Sequence, residues 1–152
     1  MERRIIRATT ERRTGWRHAP PAAADLTRLS PARLRALGLH ARRGATLVRL
    51  CAWELERLKE QPTTTVADRL ARERGLGPWS IGVVCLEGLG RFERGLEGDL
   101  GLVKLLTALR GRRVEGWETA ELLEPYGEWA GLASVYMLSG WARGLLPVAR
   151  AA

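Results

Sequence analysis

RGLGPWSIGVVCLEGLGRFERGLEGD, residues 74–99, decides how the rest of the chain is read. It opens on a tight turn, Gly75-Leu76-Gly77-Pro78. It runs through an apolar segment, residues 79–89, and closes on Asp99 at the threshold of a second apolar segment. Gly75 and Gly77 can take backbone dihedrals closed to other residues. Without side chains they also let an anion approach the main chain. Successive amides in such a turn, backed by the N-terminus of the next helix, form an anion nest. Pro78 suits the first position of that helix. Taken alone, a Gly-X-Gly turn reads first as an ordinary helix connection with a glycine C-cap, and Asp99 reads first as an N-cap.

Outward from this stretch the pattern is helical. Residues 78–89 form a helix apolar on nearly all sides, expected to be the buried centre of the fold. Residues 91–98 read as a polar loop. Residues 99–109 are helical, with Leu102, Leu105, Leu106 and Leu109 on one face. A short helix is expected near residues 118–123, broken at Pro125. A last helix over residues 127–146 has Trp129, Leu132, Val135, Tyr136, Leu138 and Trp141 as core candidates. Upstream, residues 63–65 are three threonines that offer N-caps for a helix. Val66, Leu70 and Ala71 face inward on it, and Arg69, Arg72 and Arg74 face out. A long amphipathic helix over residues 41–59 carries Leu47, Leu50, Cys51, Leu55 and Leu58 at three- and four-residue spacing, and Pro62 ends it. Ser30-Pro31 is a helix start, Ser as N-cap and Pro at the first position; Leu34 and Leu37 follow, and Gly38 stops the turn. Residues 22–29 are a short helical pattern, and Pro20-Pro21 breaks the chain before it. Residues 1–19 are basic, with a short helix around residues 3–13. Ile5 and Ile6 are too few to define a buried face there, so this segment is expected to be loosely ordered. No strand alternation and no internal repeat is seen. The fold class is therefore all-α.

The totals agree with one domain. A chain of 152 residues can bury a real core. No apolar run approaches the roughly 18–20 residues that span a bilayer. The N-terminus has no apolar stretch of signal-peptide length, and a cytoplasmic protein is expected. Cys51 and Cys85 sit inside apolar helical patterns and read as small buried hydrophobes. With His18 and His40 they leave no spacing for a zinc site, and two cysteines cannot hold a four-cysteine iron–sulfur cluster. No metal and no cofactor is expected. His18 and His40 read as solvent-exposed or phosphate-near. The net charge is +8 and the pI about 10.9. Residues 1–50 carry 12 Arg against 3 acids, whereas residues 51–152 carry 13 Lys and Arg against 14 acids. Basicity so concentrated favours a polyanionic partner, nucleic acid above all. The competing explanation is an Arg-rich proteome, since 23 of the 25 basic residues are Arg.

Gly75-Leu76-Gly77-Pro78-Trp79-Ser80, an apolar helix, and then Gly98-Asp99-Leu100-Gly101-Leu102 resemble the helix-hairpin-helix superfamily of DNA glycosylases. Within it the sequence is most similar to the 3-methyladenine DNA glycosylase II branch, over roughly residues 20–141. The resemblance implies a helical bundle or barrel with a helix-hairpin-helix motif at about residues 64–89. It implies a base excision repair hydrolase that cleaves the N-glycosidic bond of a flipped, alkylated base in double-stranded DNA. Asp99 matches the catalytic aspartate, whose carboxylate stabilises an oxocarbenium-like sugar and helps position water. Trp79, Tyr136 and Trp141 fall in the substrate pocket. Arg72, Arg74, Gly75, Leu76, Gly77 and Ser80 fall on the DNA-binding surface. Strand-cutting members carry a Schiff-base lysine where this chain has Trp79, so a monofunctional enzyme without lyase activity is implied. Lys104 lies beyond Asp99 on the outer face. No iron–sulfur cluster and no membrane association is implied. Two departures stand out. Members of the family carry further helices before the matched segment, so residues 20–152 are expected to form a domain incomplete at its N-terminal side, with a protein partner as one way to cover the exposed apolar surface. Val83 and Leu138 occupy positions where an aromatic is expected. The alternative is a non-catalytic helix-hairpin-helix DNA-binding protein, or a degenerate or truncated glycosylase. A third reading is a basic helical protein that binds RNA or another protein.

Overall fold

Ser30 starts a helix as its sequence predicts: its Oγ accepts the Arg33 amide at 3.1 Å, with Pro31 at the first position. In the computed structural model, residues 2–10, 18–53 and 55–146 are described, the side chain of Leu55 excepted. They fall into two compact units, Met1–Gln61 with Glu73–Gly75, and Pro62–Arg72 with Leu76–Ala152. Among the described residues there is no strand. The chain is all-α.

The first unit holds α1 (Glu2–Thr9), α2 (Ala23–Thr27), α3 (Pro31–Ala36), α4 (Ala41–Cys51) and α5 (Leu55–Leu58). Helix α4 lies on α2 and α3. Gly44 permits this, since a Cβ there would stand 3.3 Å from Leu34 Cβ. Leu34 is fully buried and forms a core with Leu39 and Ile5, flanked by Leu26, Leu47 and Val48. Two expectations are corrected. Ile5 is buried, although the segment around it lacks an apolar face. Its burial comes from Leu34 and Leu39, which one inserted side chain suffices to meet. Residues 11–13 of the expected first helix lie outside the described residues. The helix expected over residues 41–59 is two pieces. At its break the Ala52 and Trp53 amides bond three residues back, to the Arg49 and Leu50 carbonyls. Apolar spacing runs on across the break, because Cys51 and Leu58 are both buried, so periodicity could not reveal it.

The second unit holds α6 (Thr63–Ala71), α7 (Pro78–Val83), a π turn (Val84–Gly88), α8 (Leu100–Arg110), α9 (Glu118–Leu123), a 3-10 turn (Glu124–Trp129) and α10 (Ala130–Ala142). Helix α8 packs on α9 and α10, around Leu96, Leu102, Leu105, Leu123 and Ala130. The centre is therefore α8 rather than residues 78–89, whose Trp79 is 46% exposed. Leu109, placed on the inner face by spacing, is 51% exposed at the end of α8. Thr63 does not cap α6. Pro62 holds the cap position, and the Thr63 hydroxyl donates to Glu93 Oε1 at 2.8 Å. Ala67, not Ala71, faces inward.

Helix α10 turns inward only part of the face expected: Leu138 and Trp141 pack against the core. Ala130, Gly131 and Ser134 are buried, whereas Trp129, Val135 and Tyr136 are exposed. The reason is backbone approach. The Gly131 amide donates to the Phe92 carbonyl at 2.7 Å. A Cβ on Gly131 would stand 2.9 Å from that oxygen. Small residues allow main chain to meet main chain, and hydropathy does not score that.

One buried charge ties α8 to α9. The Glu118 carboxylate accepts Arg110 Nη1 at 2.5 Å, Arg112 Nη2 at 2.5 Å and the Glu115 amide at 2.8 Å. The Arg112 hydrogen bond first, and the amide next, hold its carboxyl down at about 2. Unfolded, the same group titrates near 4.5. Its contribution is therefore complete above about pH 4.5 and is lost as pH falls toward 2. Glu118→Gln should lower the urea midpoint at pH 7. The gap from wild type should persist down to pH 5 and narrow between 4.5 and 2. A gap independent of pH over that range would contradict this account.

Candidate functional site

The loop of residues 91–98 sets where Asp99 stands. It is pinned by polar groups from two helices. The Leu96 amide donates to Ser134 Oγ at 3.0 Å, and Ser134 in turn donates to the Ala130 carbonyl at 2.8 Å. The Gly98 amide donates to Thr119 Oγ1 at 2.7 Å. Ser134 and Thr119 are fully buried; the Leu96–Ser134 bond forms away from competing water, and the Gly98–Thr119 bond is partly buried. Gly98 has φ +78°, a conformation that strongly favours glycine. The Asp99 amide then closes back onto the Leu96 carbonyl at 3.0 Å.

Asp99 is the N-cap of α8. Its Oδ1 accepts the Gly101 amide at 2.7 Å and the Leu102 amide at 3.4 Å. Its Oδ2 accepts the Trp79 indole Nε1–H at 2.8 Å. Trp79 reaches it from the first turn of α7. That helix sits tight on the loop, because a Cβ on Gly82 would collide with the Gly95 carbonyl. Two residues singled out from sequence are thus in direct contact across twenty positions. Leu138 stands beside this turn, for a Cβ on Gly101 would strike its side chain. Val83, Leu138 and Trp141 are partly buried against the Leu102–Leu105 core. Tyr136 is 70% exposed. It lies two residues from buried Ser134, about 200° around α10.

The glycine turn is built by α4. The Arg74 carbonyl accepts Thr46 Oγ1 at 3.0 Å and Arg49 Nη2 at 2.8 Å. Arg49 Nε also meets Glu73 Oε1 at 2.6 Å. Gly75 has φ +101°, and a Cβ there would fall 2.6 Å from Thr46 Oγ1. Gly77 differs from expectation. Its φ of −107° is open to any residue, and a Cβ on it would meet nothing. Its role is the N-cap of α7, its carbonyl accepting the Ile81 amide at 3.1 Å. Arg72 and Arg74 are exposed; Leu76 and Ser80 are half-buried. His40 is exposed and caps α4 through Nδ1, whereas His18 is half-buried against Thr10. Lys104 is exposed, as read from its spacing. Both cysteines are buried, and burial pushes both thiols up. Among the described residues no three His, Cys, Asp or Glu side chains group as a metal ion would need. None of the described helices is long and apolar enough to cross a membrane.

Sequence reading missed the supports. Arg49 reads only as lying off the apolar stripe of α4, and Thr46 went unnoticed, although it is one helical turn before Leu50 on that stripe, where a polar residue has to find a partner. Ser134 and Thr119 gave no signal, since Ser and Thr in helices are common.

No protein-family model and no curated protein matches the sequence. Solved structures do. A 3-methyladenine DNA glycosylase from Archaeoglobus fulgidus superposes with TM-score 0.76 at 20% identity, over 94% of this chain and 51% of that one. A DNA-3-methyladenine glycosidase from Bacillus halodurans superposes with TM-score 0.61 at 22% identity, over 82% of this chain and 61% of that one. The chain shares their fold. It spans about half the length of the first and 61% of the second.

The glycine turn makes a direct test of its own geometry. Gly75→Ala should cost about 1–3 kcal/mol in urea unfolding, from dihedral strain and overpacking together. In a Thr46→Ala background, which has already lost the hydrogen bond to the Arg74 carbonyl, Gly75→Ala should cost less than in wild type, because the collision is gone and only the strain remains. Full stability of Gly75→Ala would show that the turn is not held as described.

Proposed function

We propose that this chain is a DNA glycosylase of the helix-hairpin-helix kind, acting in base excision repair on an alkylated base of the 3-methyladenine type. The observation that carries the reading is the Trp79–Asp99 hydrogen bond at the start of α8, in a fold shared with two glycosylase structures. In this reading α6, the turn and α7 are the helix-hairpin-helix. Arg72, Arg74, Gly75, Leu76, Gly77 and Ser80 hold the duplex backbone through phosphates, which positions DNA without reading its sequence. The damaged nucleotide is flipped out. Its C1′–N bond breaks, the electron pair leaving with the base. The Asp99 carboxylate stabilises the sugar cation electrostatically, and water adds at C1′ with loss of a proton. A cationic alkylpurine is a good leaving group, so modest assistance suffices. Trp79, Trp141 and Tyr136 are the proposed pocket residues. Trp79 offers an indole and no amine, so no Schiff base forms and the strand is not cut. Its N–H, bonded to Oδ2, positions the carboxylate.

A non-catalytic DNA-binding protein is the second reading. Both oxygens of Asp99 are engaged, in the helix cap and by the indole, which a purely structural aspartate would also show. Val83 and Leu138 in place of aromatics favour it as well.

Excision separates the two. Duplex DNA carrying 3-methyladenine is incubated with the protein, and the released base is measured. Asp99→Asn should lower the rate about 10²–10³-fold, the usual scale for removing one transition-state stabiliser. Asn can keep the cap through its one oxygen, but its NH2 then faces the Trp79 indole N–H, so a loss of about 1–2 kcal/mol is expected and the melting temperature checks that the variant is folded. Trp79→Phe should lower the rate about tenfold, as loss of one hydrogen bond to a charged group would, with DNA binding retained. Equal release from wild type and Asp99→Asn, or release from neither, would leave the DNA-binding reading.

A further inference from the structure

We propose that α4 supplies a second, arginine-based contact to the backbone of duplex DNA, through Arg42 and Arg43. The choice of duplex DNA as the ligand rests on the glycosylase reading. The site itself rests on the first unit alone.

Two open clefts adjoin on α4. One, of about 540 Å³, is lined by His40, Arg42, Arg43, Thr46 and Gly75. The other, of about 480 Å³, is lined by Arg42, Ala45, Thr46, Arg49, Arg74 and Gly75. They share Arg42, Thr46 and Gly75, so they form one trough between α4 and the glycine turn. Among the described residues no acid lines either cleft. The Glu73 carboxylate is held by the Arg49 guanidinium. Among the described residues Arg42, Arg43 and Arg74 form no salt bridge, and all three are exposed. A folded protein gains little from cations grouped this way, since like charges repel and none is offset. A polyanion relieves that repulsion.

The floor of the trough is made rigid and narrow. Thr46 Oγ1 and Arg49 Nη2 both hold the Arg74 carbonyl inward. Gly75 then presents bare backbone, at a point where any side chain would run into Thr46. Closeness of approach is thus preserved beside the guanidinium groups. Arg suits a phosphodiester because its planar fork donates two parallel hydrogen bonds to phosphate oxygens. Arg42 and Arg43 are neighbours on a helix, about 100° apart around its axis. They fit two successive phosphates on one strand better than a single small anion.

The test is binding of an undamaged 20-base-pair duplex, followed by fluorescence anisotropy from 50 to 200 mM NaCl, with 3-methyladenine excision measured on the same preparations. Each phosphate neutralised contributes about −0.9 to the slope of log K against log salt. Arg42→Ala/Arg43→Ala should bind more weakly and shallow the slope by about 1.8. Over this fourfold salt range that is about tenfold less loss of affinity than wild type. Arg42→Lys/Arg43→Lys keeps both charges and should keep most of the slope. Both variants alter exposed side chains, and equal melting temperatures would verify their folding. An unchanged slope for the alanine pair, in a wild type that binds and excises, would overturn the α4 contact and leave the glycosylase reading standing. A shallowed slope in a wild type that binds but never excises would support the contact and overturn catalysis. Tighter binding of a hairpin RNA than of the duplex, or no binding of duplex by wild type at any salt, would overturn the ligand named here.

Discussion

Everything near Asp99 depends on main chain meeting main chain without an intervening side chain. The loop of residues 91–98 lies directly on α10 because Gly131 has no Cβ. That approach brings the Leu96 amide to Ser134, and Thr119 takes the amide of Gly98. Isolated, a loop with two glycines, Gly95 and Gly98, would sample many conformations. Here its hydrogen bonds to Ser134 and Thr119 select one, and the buried bond at Leu96 would leave an unsatisfied polar group if the loop moved. Asp99 therefore inherits its place from α9 and α10, and only its final orientation from its own helix.

The same logic recurs at the glycine turn with different residues. A carbonyl is drawn inward by a hydroxyl and a guanidinium, and the adjacent glycine closes over them. In both places a buried polar side chain from a helix fixes an irregular segment. In both places the segment carries the residues proposed to act on DNA. Rigid helices hold functional loops, a division of labour that suits sites needing accurate geometry.

Much of this was legible in the sequence. Apolar spacing marked α8 and its inner leucines. Ser30-Pro31 marked the start of α3. The pairing of the glycine turn with Asp99 came from family likeness, and the contact between Trp79 and Asp99 gives it a physical form. What stayed hidden has common causes. The break at Ala52 was invisible because Leu58 kept the apolar spacing across it. The inner face of α10 was legible at Leu138 and Trp141 but not at Gly131 and Ser134, whose close approach hydropathy does not score. Thr46, Ser134 and Thr119 were passed over because their partners are main-chain groups distant in sequence, which no local pattern contains. Gly77 was given a conformational duty that its φ does not require.

The π turn at Val84–Gly88 lies between the glycine turn and Asp99. Such a turn holds one residue more than the α-helix that would occupy the same length. The separation between Gly77 and Asp99, counted along the chain, therefore includes slack that their separation in space does not. Asp99 is located by Ser134 and Thr119, not by the number of residues before it. A chain one residue shorter within this turn, wound as plain α-helix, could deliver the aspartate to the same place. Residue counting is a poor ruler here, and the anchoring hydroxyls are a better one.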